Sequence, residues 1–392
     1  MGERRARIGA GTAIVLVLVA AAAVCVLAGV LPAPDAAALG ARTAPVLGFV
    51  VAITIVAELT RDAAVFDVVS QRLARWGRGR VVLLWLLVIA LAVVSTVFLS
   101  LDTTAVIVTP VVVVLAQSIG VPPIPFALAT VWLANTASLA LPVSNLTNLL
   151  AARQIGDGPG AFLALSWAPT LVGVLVPVLI LTLRHRATVF STYATPPPRR
   201  PADPVLFWTA TGVLLALMPA LALLQEVWIP AALAAVALLA VFAVRRRRAL
   251  RWKLVPWQAV ALAAALFVLV ETLHARGALD ALTDSVIAGG SFGDLLRLAA
   301  LGAVSSNAIN NLPAYLVLEP VAGDPTALMA LLIGVNLGPL ITPWASLATL
   351  LWHHRITALG VEIRWSRFVL WGLVAAVPTV VLAVLALALA GG

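Results

Sequence analysis

The sequence predicts an all-α polytopic membrane protein, an inverted-topology repeat secondary transporter with two re-entrant hairpins and two broken transmembrane helices. Three observations carry that expectation. Of 392 residues, 62% are hydrophobic and 10% charged, with a mean hydropathy of +1.10, more apolar surface than a soluble domain of this length can hide. Two stretches half a chain apart, Asn135 to Asn145 and Asn336 to Ser346, superimpose without a gap: Asn135 falls on Asn336, Pro142 on Pro343, Asn145 on Ser346 and Asn148 on Thr349, all at an offset of 201. Both interrupt apolar runs with proline and polar residues, and broken backbone in hydrocarbon is tolerated where it lines a cavity. Finally, the net charge of +9 is concentrated in a few segments, Arg61 to Arg80, Arg184 to Arg200 and Arg245 to Lys253. That is the signature of cytoplasmic loops rather than of a nucleic-acid surface.

With about 20 residues per crossing, the chain divides as follows. A first helix, Ile8 to Leu31, follows Glu3-Arg4-Arg5-Ala6-Arg7, lacks a convincing cleavage pattern and is expected to be retained, with the N-terminus cytoplasmic. The second spans Ala44 to Thr60, and the arginine-rich segment after it forms an amphipathic surface helix with Phe66, Val69 and Leu73 inward. Residues 81–117 are too long for one span and polar in the middle, at Ser100-Leu101-Asp102-Thr103-Thr104, which predicts a hairpin entering and leaving on the cytoplasmic side. A broken helix, 122–150, and a span from Phe162 to Leu183 complete a first repeat, residues 1–187.

Residues 188–226 hold a proline-rich linker, with Pro196-Pro197-Pro198-Arg199-Arg200-Pro201, and a connecting helix that returns the chain outward. The second repeat, 227–392, therefore runs inverted. It has helices at Val227 to Val244 and Val255 to Leu273, a hairpin at 295–321 with Ser305 to Asn311 at its tip, a broken helix at 325–352 and a last span from Trp365 to Ala390. The presumed outer loops carry Asp35, Asp157, Glu226, Asp280, Asp284, Asp294 and Asp324. Two further matches support the repeat: Glu58 and Asp67 against Glu271 and Asp280, and Asp102 against Asn310 at an offset of 208.

The polar residues at these breaks are the candidate substrate site: Asp102, Thr103 and Thr104 from one hairpin, Asn310 and Asn311 from the other, Asn135, Thr136, Ser138, Ser144 and Asn145 from one broken helix, and Asn336, Thr342 and Ser346 from its mate. Each has a competing structural role, since amides cap helix ends and threonines bond back to their own helix. Asp102 is the sharpest functional candidate, an intramembrane acid with no basic neighbour in sequence. Asp102, Glu58 and Glu271 are the candidates for proton coupling, although the two glutamates lie nearer helix ends where they can reach interfacial water or pair with Arg61 and Arg276. No metal site is expected: the one cysteine, Cys25, lies in the first apolar stretch, and His353 and His354 are adjacent and do not share a helix face. No Walker loop, catalytic carboxylate pair or nucleophile elbow points to an enzyme.

Val304 to Pro313, Asn336 to Trp352, Arg75-Trp76-Gly77-Arg78-Gly79-Arg80 and Asn135 to Asn148 together resemble the arsenite efflux permeases, arsenical pump membrane proteins of the ArsB type in the ion transporter superfamily. The resemblance runs from about Val50 to the C-terminus. It implies a scaffold and a mobile transport domain built from the hairpins and broken helices, location in the cytoplasmic (inner) membrane, and export of trivalent arsenic or antimony by proton antiport, with a soluble pump ATPase as a partner in some members. It brings in no cofactor beyond the proton gradient, with sodium as the alternative coupling ion; the other partners are the small inorganic solute and membrane lipids. This chain departs from the family pattern, which commonly has Asp at the positions of Asn135 and Asn336, Asn-Asp at Leu101-Asp102 and Lys at Leu340. Arsenous acid is an uncharged trihydroxy species near neutral pH, and the candidate residues offer it hydrogen bonds without a fixed cation. A dicarboxylate carrier of the same superfamily would need a cation or bound sodium. A sodium-coupled importer, a sodium/proton antiporter and an uncoupled permease therefore remain as alternatives.

Overall fold

The computed structural model describes residues 2–156, 158–196, 201–224, 226–278 and 290–390. Among these the regular elements are helices, with one isolated bridge between Arg80 and Thr192. In order they are α1 (Gly2–Leu27), α2 (Ala33–Asp62), α3 (Val65–Trp76), α4 (Val81–Leu99), α5 (Leu101–Ser118), α6 (Ile124–Thr136), α7 (Leu146–Ile155), α8 (Pro159–Arg184), α9 (Pro204–Leu223), α10 (Trp228–Arg245), α11 (Trp257–Ala275), α12 (Phe292–Ile309), α13 (Asn311–Leu318), α14 (Pro325–Leu337), α15 (Leu347–Ala358) and α16 (Trp365–Ala390). Among the described residues, eight helices are long and apolar enough to cross a membrane. The expected acids Asp157, Asp280 and Asp284, and Pro197 to Arg200 of the linker, lie outside the described residues.

Two kinds of helix position everything else. The long ones carry an apolar outer face: on α8, Leu163, Trp167, Leu171, Leu175, Leu179 and Leu183 are exposed at a spacing of four, one stripe along the helix. Such a stripe suits lipid rather than water. The short ones are enclosed. α6 and α14 have 13 residues each, about 20 Å at 1.5 Å per residue, too short to cross a bilayer core, and nearly every residue from Pro125 to Thr136 and from Ala327 to Leu337 is buried. They are apolar all round because they are surrounded all round.

The helices fall into two packed groups. α2 packs against α10 and α11, and α1 against α11, whereas α4, α5, α7, α8, α12, α13, α15 and α16 surround the two short central helices. In the second group α14 crosses α12 so closely that a β-carbon on Gly334 would overlap the Ala299 carbonyl. Surface helix α3 buries Phe66 and Leu73 and half-buries Val69, as its amphipathic pattern predicts. It packs against both α4 and α5, so the start of α4 and the end of α5 lie near the same element.

Residues 81–117 are not one continuous helix. The break falls at Ser100, with φ 99° and ψ 159°, and α12 breaks in the same way at Asn310, with φ 97° and ψ 152°. This corrects the expected pairing of Asp102 with Asn310: the backbone pairs Ser100 with Asn310, and Asp102 with Leu312. The similarity of side chains misled because the repeated feature is a backbone conformation. That region is one that residues with a β-carbon enter at a cost of about 1–3 kcal/mol and keep only where neighbours fix it.

Candidate functional site

Local sequence explains the central breaks. α6 stops at Thr136, two short 3-10 turns follow, and Leu141 is extended because Pro142 comes next. Asn145 is extended, at φ −148°, and its side-chain oxygen accepts from the Thr147 amide at 3.4 Å, capping α7. In the other half α14 stops at Leu337, before Gly338-Pro339, and Ser346 is extended, at φ −142°, before α15. The two breaks therefore begin and end in the gapless register read from the sequence, Thr136 with Leu337 and Asn145 with Ser346.

Each break is tied to the hairpin of its own half. Ser144 Oγ donates to the Val97 carbonyl of α4 at 2.8 Å. On the other side Asn310 Nδ2 donates to the Trp344 carbonyl at 2.9 Å, and the Asn311 amide to the Ala345 carbonyl at 2.9 Å. Asn307 adds a clamp: its Nδ2 reaches the Gly338 carbonyl at 2.8 Å and its Oδ1 accepts from the Thr342 amide at 2.9 Å. The halves join at Asn336, whose Oδ1 accepts from Asn145 Nδ2 at 2.7 Å and Thr147 Oγ1 at 3.0 Å, and whose Nδ2 donates to Asn148 Oδ1 at 2.6 Å.

Between the two hairpin tips lies a cavity of about 320 Å³, bounded on one side by Ser100, Asp102, Asn145, Asn310, Asn311 and Ser346 and on the other by apolar residues of α1, α2 and α11. Among the described residues no Arg or Lys lines it. Three of its polar side chains form no hydrogen bond to protein among the described residues: the Asp102 carboxylate, the Asn311 amide and the Ser346 hydroxyl. One acceptor pair and one donor and acceptor thus face a common space, with the unpaired Ser346 hydroxyl buried in its wall, matching the hydrogen-bonding capacity of a small neutral polyol-like solute.

The remaining candidates lie away from that space and hold the frame. Thr103 donates to the Leu99 carbonyl at 2.8 Å and Thr104 Oγ1 accepts from Thr96 Oγ1 at 2.9 Å. Ser138 Oγ donates to the Asn135 carbonyl at 2.6 Å, while Thr342 Oγ1 donates to the Asn307 carbonyl at 2.9 Å. Asn135 Nδ2 donates to Val131 in its own helix at 2.9 Å, and its Oδ1 and the Thr136 hydroxyl are buried without a partner. The hairpin tips meet the downstream ends of the breaks, at Asn145 and Ser346; Asn135 and Asn336 sit behind them and do not line the cavity. Glu58 pairs with Arg61 at 2.5 Å and is outside it. Glu271 faces a second cavity, and Arg276 bonds the carbonyls of Val30 and Gly29 instead.

Sequence reasoning passed over Ser100, Asn148 and Asn307. Ser100 was legible as a serine three residues before Thr103, a helix-start pattern inside an apolar run. Asn148 is legible in the sequence only as a repeat match, and Asn307 lies within the tip segment without a local signal of its own. No periodicity in α2 signals that Arg42 reaches Glu319, which is 277 residues away.

A family model described as citrate transporter matches residues 5–325. An arsenical pump membrane protein of Escherichia coli strain K12 is 30% identical over 367 residues, covering 86% of this chain and 85% of the relative. Another from Escherichia coli is 29% identical over 365 residues, and one from Yersinia enterocolitica 29% over 371, with the same coverage of both chains. A cavity between paired helix breaks, walled by lipid-facing helices, and a match along most of the chain lead to one assignment: this chain is a multi-pass membrane protein of the citrate transporter family, in the group of the arsenical pump membrane proteins.

Proposed function

We propose that the protein exports trivalent arsenic, and antimony by the same chemistry, as the uncharged trihydroxide, in exchange for protons. The observation that carries this reading is the pair of unengaged groups, Asp102 and Asn311, facing one cavity that has no cation among the described residues, with the unpaired Ser346 hydroxyl buried in its wall. A trihydroxy solute donates to the carboxylate and exchanges hydrogen bonds with the amide and hydroxyl. Its neutrality removes the need for a compensating charge in low dielectric. Asp102 then holds either a proton or the solute's hydroxyls, and competition between the two for one site is the minimum that antiport needs.

In this reading the two halves are an inverted repeat, the tips at Ser100 and Asn310 belong to re-entrant hairpins from opposite faces, and the basic loops place the N-terminus on the cytoplasmic side of the inner membrane. α1, α2, α10 and α11 are the scaffold. The second group carries the solute.

A second reading, sodium-coupled import of a carboxylate, is favoured by the description of the matching family model. The cavity's lack of Arg and Lys weighs against it. Thermal unfolding of the purified protein separates them: stabilisation by arsenite or antimonite and none by citrate supports export, whereas stabilisation by citrate only with sodium present moves the assignment to the importer.

A further inference from the structure

Four elements that line the solute cavity continue past it in one direction. α2 contributes residues from Leu47 to Thr54, α11 from Ala259 to Leu266, α7 its first turn and the second hairpin Ile309 to Pro313. Neighbouring turns of the same elements line a second cavity of about 520 Å³: Leu39 to Thr43, Phe267 to His274, Leu150 and Gln154, and Leu316 to Ala322. The two spaces therefore lie end to end between one pair of walls, α2 and α11 on one side and α7 and the second hairpin on the other.

The second cavity is polar where the first is mostly apolar. Glu319, just after α13, forms an ion pair with Arg42 of α2 and also accepts from Gln154 Nε2 and from Tyr315 Oη at 3.0 Å. The Glu319 side chain retains only 10% exposure, whereas Arg42 reaches it from a side chain that is 40% exposed, so the pair stands at the edge of the cavity with its acid inward. Nε2 of His274 is buried without a partner, and Glu271 has no hydrogen bond or ion pair among the described residues. Polar groups left uncompensated in an apolar protein cost free energy and persist chiefly where water or a polar solute passes. The cavity's walls end towards the acidic loops: Asp35 opens α2, and Arg153 at the end of α7 pairs with Glu226 at 3.6 Å. By charge bias this is the outer face.

We infer that this second cavity is the release half of the solute path, a transient site for the same small uncharged trihydroxide, lined by Glu271 and His274 and closed by the Arg42–Glu319 pair. This rests on the export reading. The pair links α2, in the group assigned as scaffold, to the second hairpin, in the group that carries solute, so the two must separate when the hairpin moves away from α2. His274 and Glu271 then supply the solute with the hydrogen-bonding partners it leaves behind at Asn311 and Asp102.

The test is thiol accessibility in a Cys25→Ser background. Ala322→Cys, in the wall of the second cavity, is treated with a membrane-impermeant methanethiosulfonate on right-side-out and on inverted vesicles, and Leu39→Cys on the opposite wall gives the same readout should the first variant not fold. The expected result is modification from the outer face, loss of arsenite efflux on modification, and labelling about fivefold faster when Arg42→Gln and Glu319→Gln are combined, which removes the link without leaving a lone charge. Modification from the cytoplasmic face alone, complete modification with efflux unchanged, or an unaltered rate in the double variant overturns the inference. The labelling pattern does not depend on arsenite. Outer-face, link-dependent labelling in a protein that arsenite fails to stabilise would overturn the substrate assignment while supporting the path.

Discussion

α14 and α6 have asparagines at matching positions, one residue before their ends, yet the amide of Asn336 makes three hydrogen bonds to α7 and its N-cap Asn145, whereas that of Asn135 makes one, to its own helix. The backbones around them break in the same register. The difference comes from what faces each amide in the repeat: α7 begins with Asn145, Thr147 and Asn148, and the matching positions of α15 are Ser346, Ala348 and Thr349. The shorter side chains leave Asn135 Oδ1, Ser346 Oγ and Thr349 Oγ1 buried without partners. A shared backbone thus fixes where polar groups stand and not whether they are satisfied. One junction is a brace; the other keeps hydrogen-bonding capacity in reserve, and Ser346 at its edge belongs to the wall of the solute cavity.

The largest expected effect follows from removing the brace. Asn336→Ala leaves Thr147 Oγ1 and Asn148 Oδ1 without a partner and Asn145 Nδ2 with only Ser138 Oγ at 3.4 Å, and should lower unfolding stability in detergent by about 3 kcal/mol, at about 1–3 kcal/mol for each unsatisfied buried group. Asn135→Ala should cost about 1 kcal/mol or less, since it removes an amide that is itself half unsatisfied. Equal losses would erase the distinction between the junctions.

The glycines that pack on the two breaks sharpen the comparison. A β-carbon on Gly372 of α16 would overlap the Leu340 carbonyl in the second break, whereas one on Gly173 of α8 would stand 3.1 Å from the Thr136 carbonyl in the first. Gly372→Ala should therefore destabilise by about 2 kcal/mol or more, and Gly173→Ala by about 1 kcal/mol, in the same unfolding assay.

The strained tips give the smallest effect and a difference of sign. Replacing Ser100 by glycine relieves the backbone and removes two long bonds to Thr103, 3.4 Å from its amide and 3.3 Å to its hydroxyl, so Ser100→Gly should be neutral or stabilising by about 1 kcal/mol. Asn310→Gly relieves the same strain but loses the 2.9 Å bond to Trp344 and the cap on Leu312, and should be destabilising by about 1 kcal/mol. Unfolding midpoints of the two variants, measured together, decide it.

These contrasts also mark what was legible in the sequence. Helix breaks were, because proline, glycine and amides inside apolar runs have few other uses, and the gapless offset between Asn135 and Asn336 placed both breaks to the residue. Asp102 was legible as a lone acid in such a run. The bonding was not: nothing local distinguishes a threonine that turns back on its helix, as Thr103 does, from one that faces a cavity. The clamp through Asn307 and the link from Arg42 to Glu319 join residues far apart in the chain, and only packing brings them together. The hairpin register failed for a related reason, since matching Asp102 to Asn310 compared side chains where the repeated feature was the backbone turn at Ser100.

The account depends most on Asp102, the one acid among the described residues that line the central cavity. Arsenite accumulation in inverted vesicles, driven by a pH gradient, should be abolished by Asp102→Asn, while stabilisation of the purified variant by arsenite and downhill exchange across the membrane persist, because the amide keeps hydrogen bonding and cannot carry the proton. Gradient-driven accumulation by Asp102→Asn at the wild-type rate would contradict it.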